Sequence, residues 1–413
     1  GNIMSEWEFL QIKDLVSDGS LEKPLDGNHG GIHPKGADFV SSGIPFVMAS
    51  DINNSQIDLV GCKFISKQQA LSLRKGFAKT GDVLLTHKAT LGRTAIVPPL
   101  KTDFIMLTPQ VTYYRVKDKN RINNHYLKYY FDTPDFQQTL ANHGDAGSTR
   151  AYIGITAQHD LPVILPPINE QKAIASVLSS LDDKIDLLHH QNKTLELMAE
   201  TMFRQWFILD ETGASVNLEQ IIDFNPKRTL TKSQDATYLD MAGLSTDIFR
   251  ATGYYKRPFS SGTKFTKRDT LLARITPCLE NGKAAYVDFL DNNETGWGST
   301  EFIVMRPKKE IHPMISYIMC RNPDFKEYAE SCMEGSTGRQ RVNLDYLKKF
   351  NVNLPTGASL RKINELLDSF ESKLINNSKQ IDSLEKLRNT LLPKLMSGEV
   401  RVQYAEDAIA SVA

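Results

Sequence analysis

Cysteine is scarce in this chain. Its four residues, Cys62, Cys278, Cys320 and Cys332, are scattered over 413 positions. No two form a C-x-x-C pair, which excludes the patterned spacing of a zinc ribbon or a disulfide framework. Reduced thiols in a cytoplasmic setting are the expectation. No apolar run approaches the ~20 residues a membrane span needs, and no charged-then-apolar leader is expected at the start. Net charge is also missing, with 49 Lys+Arg against 49 Asp+Glu, so charge alone does not announce a phosphate-rich partner. There is no G-x-x-x-x-G-K-[ST] loop to cradle a nucleotide. His189 and His190 are adjacent, whereas metal-binding pairs on a helix stand four apart. Neither a metal nor a cofactor is expected on this chain.

What the chain does have is a repeat. At this length one core is too small a container and two domains with connectors are comfortable. A segment ending in a heptad-patterned helix at Ile174–Trp206 recurs about 189 residues later, ending at Ile363–Leu395. Asp82-Val83-Leu84-Leu85 matches Asp269-Thr270-Leu271-Leu272, each opening into a polar loop, Thr86–Arg93 and Arg274–Lys283. Val111-Thr112-Tyr113-Tyr114-Arg115 matches Phe302-Ile303-Val304-Met305-Arg306, a β-branched and aromatic strand closed by Arg. Thr133-Pro134-Asp135-Phe136 matches Asn322-Pro323-Asp324-Phe325, with Thr or Asn as helix cap and Pro at the first helical position. Gly147-Ser148-Thr149-Arg150 lies against Gly335-Ser336-Thr337-Gly338-Arg339, and Leu161–Pro166 against Phe350–Pro355.

The two helices align without a gap. Apolar residues step by alternating four and three from Ile174 to Trp206 and from Ile363 to Leu395, the 3.5-residue period of a coiled coil. An amphipathic helix packed only on its own domain would carry a broader, less regular stripe. Each seam holds one Asn. In a level antiparallel pairing, residue x faces residue 569 − x, because 174 + 395 and 206 + 363 both give 569. Asn192 then faces Asn377. A slip by one heptad would bury each amide unpaired at roughly 1–3 kcal/mol, so this pair is expected to fix the register.

Pro166-Pro167-Ile168-Asn169-Glu170-Gln171-Lys172 at the entry to the first helix resembles the P-P-x-x-E-Q-x signature of type I restriction–modification specificity subunits. Met202–Phe207 and Leu395–Val400 are similar to that family's helix ends. The second unit departs from the pattern, since Leu354–Ser359 lacks both Pro-Pro and Glu-Gln. The resemblance implies an α+β fold: two similar target-recognition domains separated by an antiparallel two-helix coiled coil, with pseudo-twofold symmetry. The expected boundaries are residues 1–168 for the first domain, 169–210 for the first helix, 211–357 for the second domain, 358–398 for the second helix and 399–413 for a tail. The first domain should carry roughly 20 extra residues near its start.

By the same resemblance the chain is a non-catalytic DNA-binding subunit for a bipartite asymmetric double-stranded target. It would direct adenine methylation and restriction by two methyltransferase subunits and by restriction (motor and nuclease) subunits. S-adenosylmethionine, ATP and Mg would be used by those partners. Two other classes compete. An adenine methyltransferase would need an N-P-P-[FY] loop, and the nearest match, Asn322–Phe325, is repeated at Thr133–Phe136 as a helix start. A protein-only coiled-coil scaffold would not need two β-rich units with basic loops.

Loops with Arg or Lys beside small polar residues suit DNA, because Arg reads guanine, Asn or Gln reads adenine, and small residues admit phosphate. The candidates are His87, Lys88, Thr90, Arg93, Ser148, Thr149 and Arg150 in the first domain. In the second they are Arg274, Thr276, Asn281, Lys283, Ser336, Arg339, Gln340 and Arg341. The run Lys63, Lys67, Arg74, Lys75 and Lys79 suits phosphate. For the methyltransferase interface the candidates are Arg204, Trp206, Phe207, Leu391 and Leu395, expected at exposed helix ends. The competing reading is that the aromatics staple the helix end to its neighbouring domain.

Overall fold

The computed structural model describes residues 7–144 and 152–411. The chain forms two compact units, residues 1–184 with 383–413, and residues 185–382. The division falls inside both long helices, Ile168–Phe203 and Gly357–Met396. Each unit therefore contains one β-rich domain and a stretch of each helix.

The repeat read from the sequence is a repeat of topology. In the first unit β1 (Ile44–Val47), β2 (Lys63–Ile65), β3 (Phe77–Ala78) and β4 (Ile105–Leu107) lie in the order β2-β1-β4-β3, with Phe39–Val40 added beside β2. In the second, β5 (Asp235–Leu239), β6 (Tyr255–Pro258), β7 (Thr263–Thr266) and β8 (Thr295–Gly298) lie in the order β6-β5-β8-β7. The one parallel pairing occurs at the same place in both sheets, Phe46 opposite Met106 and Tyr238 opposite Trp297. A second, antiparallel sheet joins Val111–Tyr114, Val83–Lys88 and Thr90–Ile96 in the first unit. Its counterpart joins Phe302–Pro307, Thr270–Ala273 and Ala284–Tyr286. Two-stranded ladders, Glu8–Gln11 with Pro162–Leu165 and Ala214–Asn217 with Asn351–Leu354, lead the chain into each helix.

The two sheets of a unit pack face to face over an apolar core. Val47, Ala78, Ile105 and Leu107 meet Leu84, Ala95 and Val111 in the first. Leu239 and Phe265 meet Leu271, Ala285, Phe302 and Val304 in the second. Alternation along each strand sends every second side chain into this core. The opposite face is covered as well where Phe46 and Met106 in the first unit and Leu272, Ile303 and Met305 in the second join other clusters. The class is α+β, with two similar β-rich domains and long heptad helices.

Two repeated sequence signals acquire a physical cause. The Asp that opens each antiparallel sheet is buried and pairs with the Arg that closes the neighbouring strand. Arg115 Nη2 lies 2.7 Å from Asp82, and Arg306 Nη1 lies 3.0 Å from Asp269. Each Asp also caps its own turn, accepting from the backbone N–H of Lys79 or Thr266 at 2.7 Å. The Thr-Pro and Asn-Pro signals are helix caps: Thr133 Oγ1 accepts from Phe136 N at 3.3 Å, and Asn322 Oδ1 from Phe325 N at 3.1 Å.

In the second unit the helical seam runs into the domain core. Ala199, Phe203 and Phe207 of one helical stretch and Leu360, Ile363, Leu367, Phe370 and Leu374 of the other join Ile315, Ile318 and Met319. Asn377 Nδ2 donates to Asn192 Oδ1 at 2.9 Å, and Asn192 Nδ2 to Ser378 Oγ at 3.4 Å. In the first unit Ile174, Leu178, Leu181, Leu391 and Leu395 are buried, and Arg388 bonds Asp182 at 2.8 Å. The partner number falls as the residue number rises, the sense of an antiparallel pairing.

Four interface candidates are corrected here. Phe207 is buried and stacks on Phe203 with centroids 5.1 Å apart, in the π-helical turn Arg204–Leu209. Trp206, half-buried, packs against the same core. This is the staple to the neighbouring domain, not a free anchor. Leu391 and Leu395 are likewise buried within the first unit, because the heptad positions that made them look adhesive are the ones the chain covers itself. Only Arg204 is exposed. Among the described residues, no helix is long and apolar enough to cross a membrane.

Candidate nucleic-acid interface

Thr86–Arg93 is a hairpin and not an irregular loop. The chain reverses at Ala89, at φ 66°, and a register shift between Leu85 and His87 buries both Thr86 and His87. His87 is therefore corrected as a DNA contact. Its Nε2–H donates to the Pro109 carbonyl at 2.7 Å, which leaves Nδ1 to accept from Gln158 Nε2 at 2.9 Å and Thr112 Oγ1 at 2.6 Å. Burial pushes its pKa down to about 4 against the pull of Asp26, so the ring is neutral. Lys88, by contrast, is exposed, with its ammonium 5.8 Å from the centre of the Tyr152 ring. Thr90 is half-buried beside it. Arg93 is exposed but already engaged: Nη1 donates to the Ile52 carbonyl at 3.2 Å and to Asn53 Oδ1 at 3.0 Å. It clamps two segments of its own domain. Ser148, Thr149 and Arg150 lie outside the described residues. In the basic run, Lys75 pairs with Asp26 and Lys67 with Asp103 at 3.8 Å, so part of its charge is neutralised locally.

The second domain brings several candidates together. Arg274–Lys283 and the hairpin of Met333–Glu334 with Arg341–Val342 meet edge on: Thr276 N donates to the Gln340 carbonyl at 3.0 Å, and Arg274 Nη2 to the Val342 carbonyl at 3.1 Å. Ser336 and Arg339 stand exposed at the hairpin tip, where the Arg339 N–H closes onto the Ser336 carbonyl at 3.0 Å. Asn281 is exposed and Lys283 half-buried on the facing loop. Arg341 is paired twice over with the Glu301 carboxylate, with contacts of 2.8 and 3.0 Å. Its charge is balanced, so it orders the loop more than it attracts phosphate.

A further cluster escaped the sequence reading. On the outer face of the mixed sheet, strand register aligns Tyr255, Tyr238, Trp297 and Lys264 in one row across four strands. Arg257 lies diagonally over it, its guanidinium carbon 4.7 Å from the Tyr238 ring centre and 5.3 Å from that of Trp297. Tyr238 packs at 4.5 Å on Trp297 and at 5.5 Å on Tyr255. The row borders a groove of about 410 Å³ that Asp240, Ser260, Ser299 and Thr300 also line. Thr300 precedes Glu301, so this groove and the Arg341 loop share one segment. The only hint in the sequence was Tyr254-Tyr255-Lys256-Arg257, whose relation to Tyr238 and Trp297 is set by strand pairing.

This arrangement, two sandwich domains with cation-bearing loops joined by heptad helices, matches known proteins. The chain belongs to the family described as the type I restriction modification DNA specificity domain, whose model matches residues 4–197 and again 211–386. The type I restriction enzyme MjaIX specificity subunit of Methanocaldococcus jannaschii is 24% identical, over 98% of this chain and 95% of that one. The EcoEI specificity subunit of Escherichia coli is 27% identical over 49% of this chain and 35% of that protein. A crystal structure of the type I restriction–modification S subunit from M. genitalium superposes with a TM-score of 0.56 at 16% identity, covering 96% of each chain, and so shares the fold. Membership in this family gives the chain a role in DNA sequence recognition.

Proposed function

We propose that this chain reads a bipartite, asymmetric double-stranded DNA sequence, one half-site per β-rich domain, and so directs adenine methylation by two bound methyltransferase subunits. Restriction subunits would act through the same assembly. The chain itself would catalyse nothing, leaving S-adenosylmethionine, ATP and Mg to its partners, in the cytoplasm. The observation that carries this reading is the repeated topology with unlike surfaces. The same strand order recurs in both units, yet the first offers Lys88 and Tyr152 at its hairpin while the second offers Arg257 on an aromatic row. Two domains of one fold with different surface chemistry suit two half-sites of different sequence. The methyltransferase reading is disfavoured because Asn322, which would hold a flipped base, is buried and caps a helix.

With Phe207, Leu391 and Leu395 covered, the apolar groups left for a partner on the first long helix are Leu187, Leu197 and Met198, all about half exposed. The test is to assemble the chain with its methyltransferase subunits and map methylated adenines on genomic DNA. A two-part motif with a fixed spacer is expected, and Leu197→Asp with Met198→Asp should prevent co-purification of the methyltransferase. Methylation without a two-part motif would refute the recognition reading. Unchanged co-purification would refute the placement of the partner.

A further inference from the structure

We infer that Arg257 is a specificity-determining residue of the second domain, its guanidinium held on Tyr238 and Trp297 so that its N–H edge reads a guanine in one half-site. The inference rests on the DNA-recognition reading above. Three features of the structure support it. Arg257 is exposed, and its guanidinium hydrogen-bonds and ion-pairs with none of the described residues. Most of the other arginines in the candidate loops are occupied: Arg93 and Arg274 by carbonyls, Arg341 by Glu301. Contact with two rings, at 4.7 and 5.3 Å, restricts where the guanidinium sits and leaves its donors unspent. That is the pre-organised fork needed for bidentate contact to guanine O6 and N7.

The groove also favours a base edge over a phosphate. Asp240 lines the same groove as Arg257, and a carboxylate repels phosphate while it can accept from a base amino group. Ser260, Ser299 and Thr300 supply hydroxyls that can donate or accept. The backbone beneath is anchored, since Trp297 Nε1 donates to the Arg257 carbonyl at 3.3 Å.

The equivalent face of the first domain is closed. Its row is Lys63, Phe46, Met106 and Phe77, by the same register. Phe46 and Met106 are buried in a cluster with Ala70 and Leu73, contributed by the short helix Lys67–Ser72 and its cap. No helix stands between β6 and β7, so Tyr255 stays exposed and Tyr238 half-buried, while Trp297 is covered by Phe259 and Arg257. The two domains therefore use different parts of one scaffold.

The experiment is selection from a library of random-sequence duplexes by the chain assembled with its methyltransferase subunits, repeated with Arg257→Ala and Arg257→Lys. Wild type should enrich a two-part sequence. Arg257→Ala should lose about ten-fold or more of the preference at one G·C pair in one half-site, leaving the other half-site and the salt dependence of binding unchanged. Arg257→Lys keeps the charge without the fork and should fail to restore that preference. A base preference unchanged in Arg257→Ala would overturn the inference while leaving DNA recognition standing. So would a uniform loss at all sequences that Lys rescues, which is the mark of a phosphate contact. A wild type that enriches no sequence would overturn the recognition reading and this inference with it. Retained selection at the other half-site reports that the variants are folded.

Discussion

His87 sits with no exposed surface among Thr112, Gln158 and the Pro109 carbonyl, and that environment has a thermodynamic consequence. Its folded pKa, pushed down to about 4 by burial, lies below the ordinary value of about 6.5. Between those values the unfolded chain binds a proton that the folded chain refuses, so stability rises with pH through this window and is lost as pH falls from about 6.5 toward 4. The span corresponds to about 3 kcal/mol at 1.36 kcal/mol per pH unit. Glu196 acts in the opposite sense. Buried under Tyr317 and the Phe249 N–H, its carboxyl is raised to about 7. The stability it brings is fully present below about 4.5 and is lost as pH rises through 7. The two effects overlap, so single variants are needed to separate them. In His87→Gln, denaturation midpoints measured from pH 4 to 7 should fall less with acid than in wild type, while Glu196→Gln should lose less on going from pH 5 to 8. A midpoint difference from wild type that stays flat across either window would contradict the corresponding assignment.

At the scale of the element, the helices hold apolar seams with one amide in each. The Asn192–Asn377 bond of 2.9 Å is buried on the Asn377 side. Replacing both with Leu exchanges a polar contact for apolar burial and should raise the melting temperature of the full chain. It removes the group that penalises a heptad slip, so the helix register should become less unique. Replacing Asn192 alone with Leu leaves Asn377 Nδ2 only its 3.3 Å bond to Gln191 and should cost up to roughly 1–3 kcal/mol. A double variant less stable than the single one would show that the amide pair is a net source of stability. The heptad pattern predicted these seams but misjudged their ends. Phe207, Leu391 and Leu395 looked like exposed anchors, and instead Phe207 is covered by a domain core while Leu391 and Leu395 are buried. A linear pattern shows which face of a helix is apolar and not what lies against it.

For the whole molecule, the helix length invites a test of spacing. Ile174 to Trp206 is about 50 Å of helix at 1.5 Å per residue, which corresponds to some 14–15 base pairs at roughly 3.4 Å each. Inserting one heptad at matching points in both helices adds about 10 Å per helix, and the preferred spacer should lengthen by about three base pairs with both half-sites unchanged. Methylated-adenine mapping reads the result directly. Retention of the original spacing would show that the helices do not set it.

Much of this protein is legible in its sequence because repeats and periods are local records of global constraints. The Asp and Arg at matched positions of the two domains were visible as a repeat, and in both domains they turn out to pair. The capping Thr133 and Asn322 were visible because a cap is set by its next three residues. The Asn register was visible because two helices of equal heptad length admit few alignments. What the sequence could not supply was exposure and cross-strand neighbourhood. His87 and Arg257 are both polar residues near a turn. A register shift of the strand turned one into a buried neutral ring, and pairing across β5, β6 and β8 laid the other on two aromatic faces. Residues 238, 257 and 297 are far apart along the chain. Only the tertiary structure decides that they share a surface, because side-chain environment in a sheet depends on which strands are adjacent, and no local period encodes that.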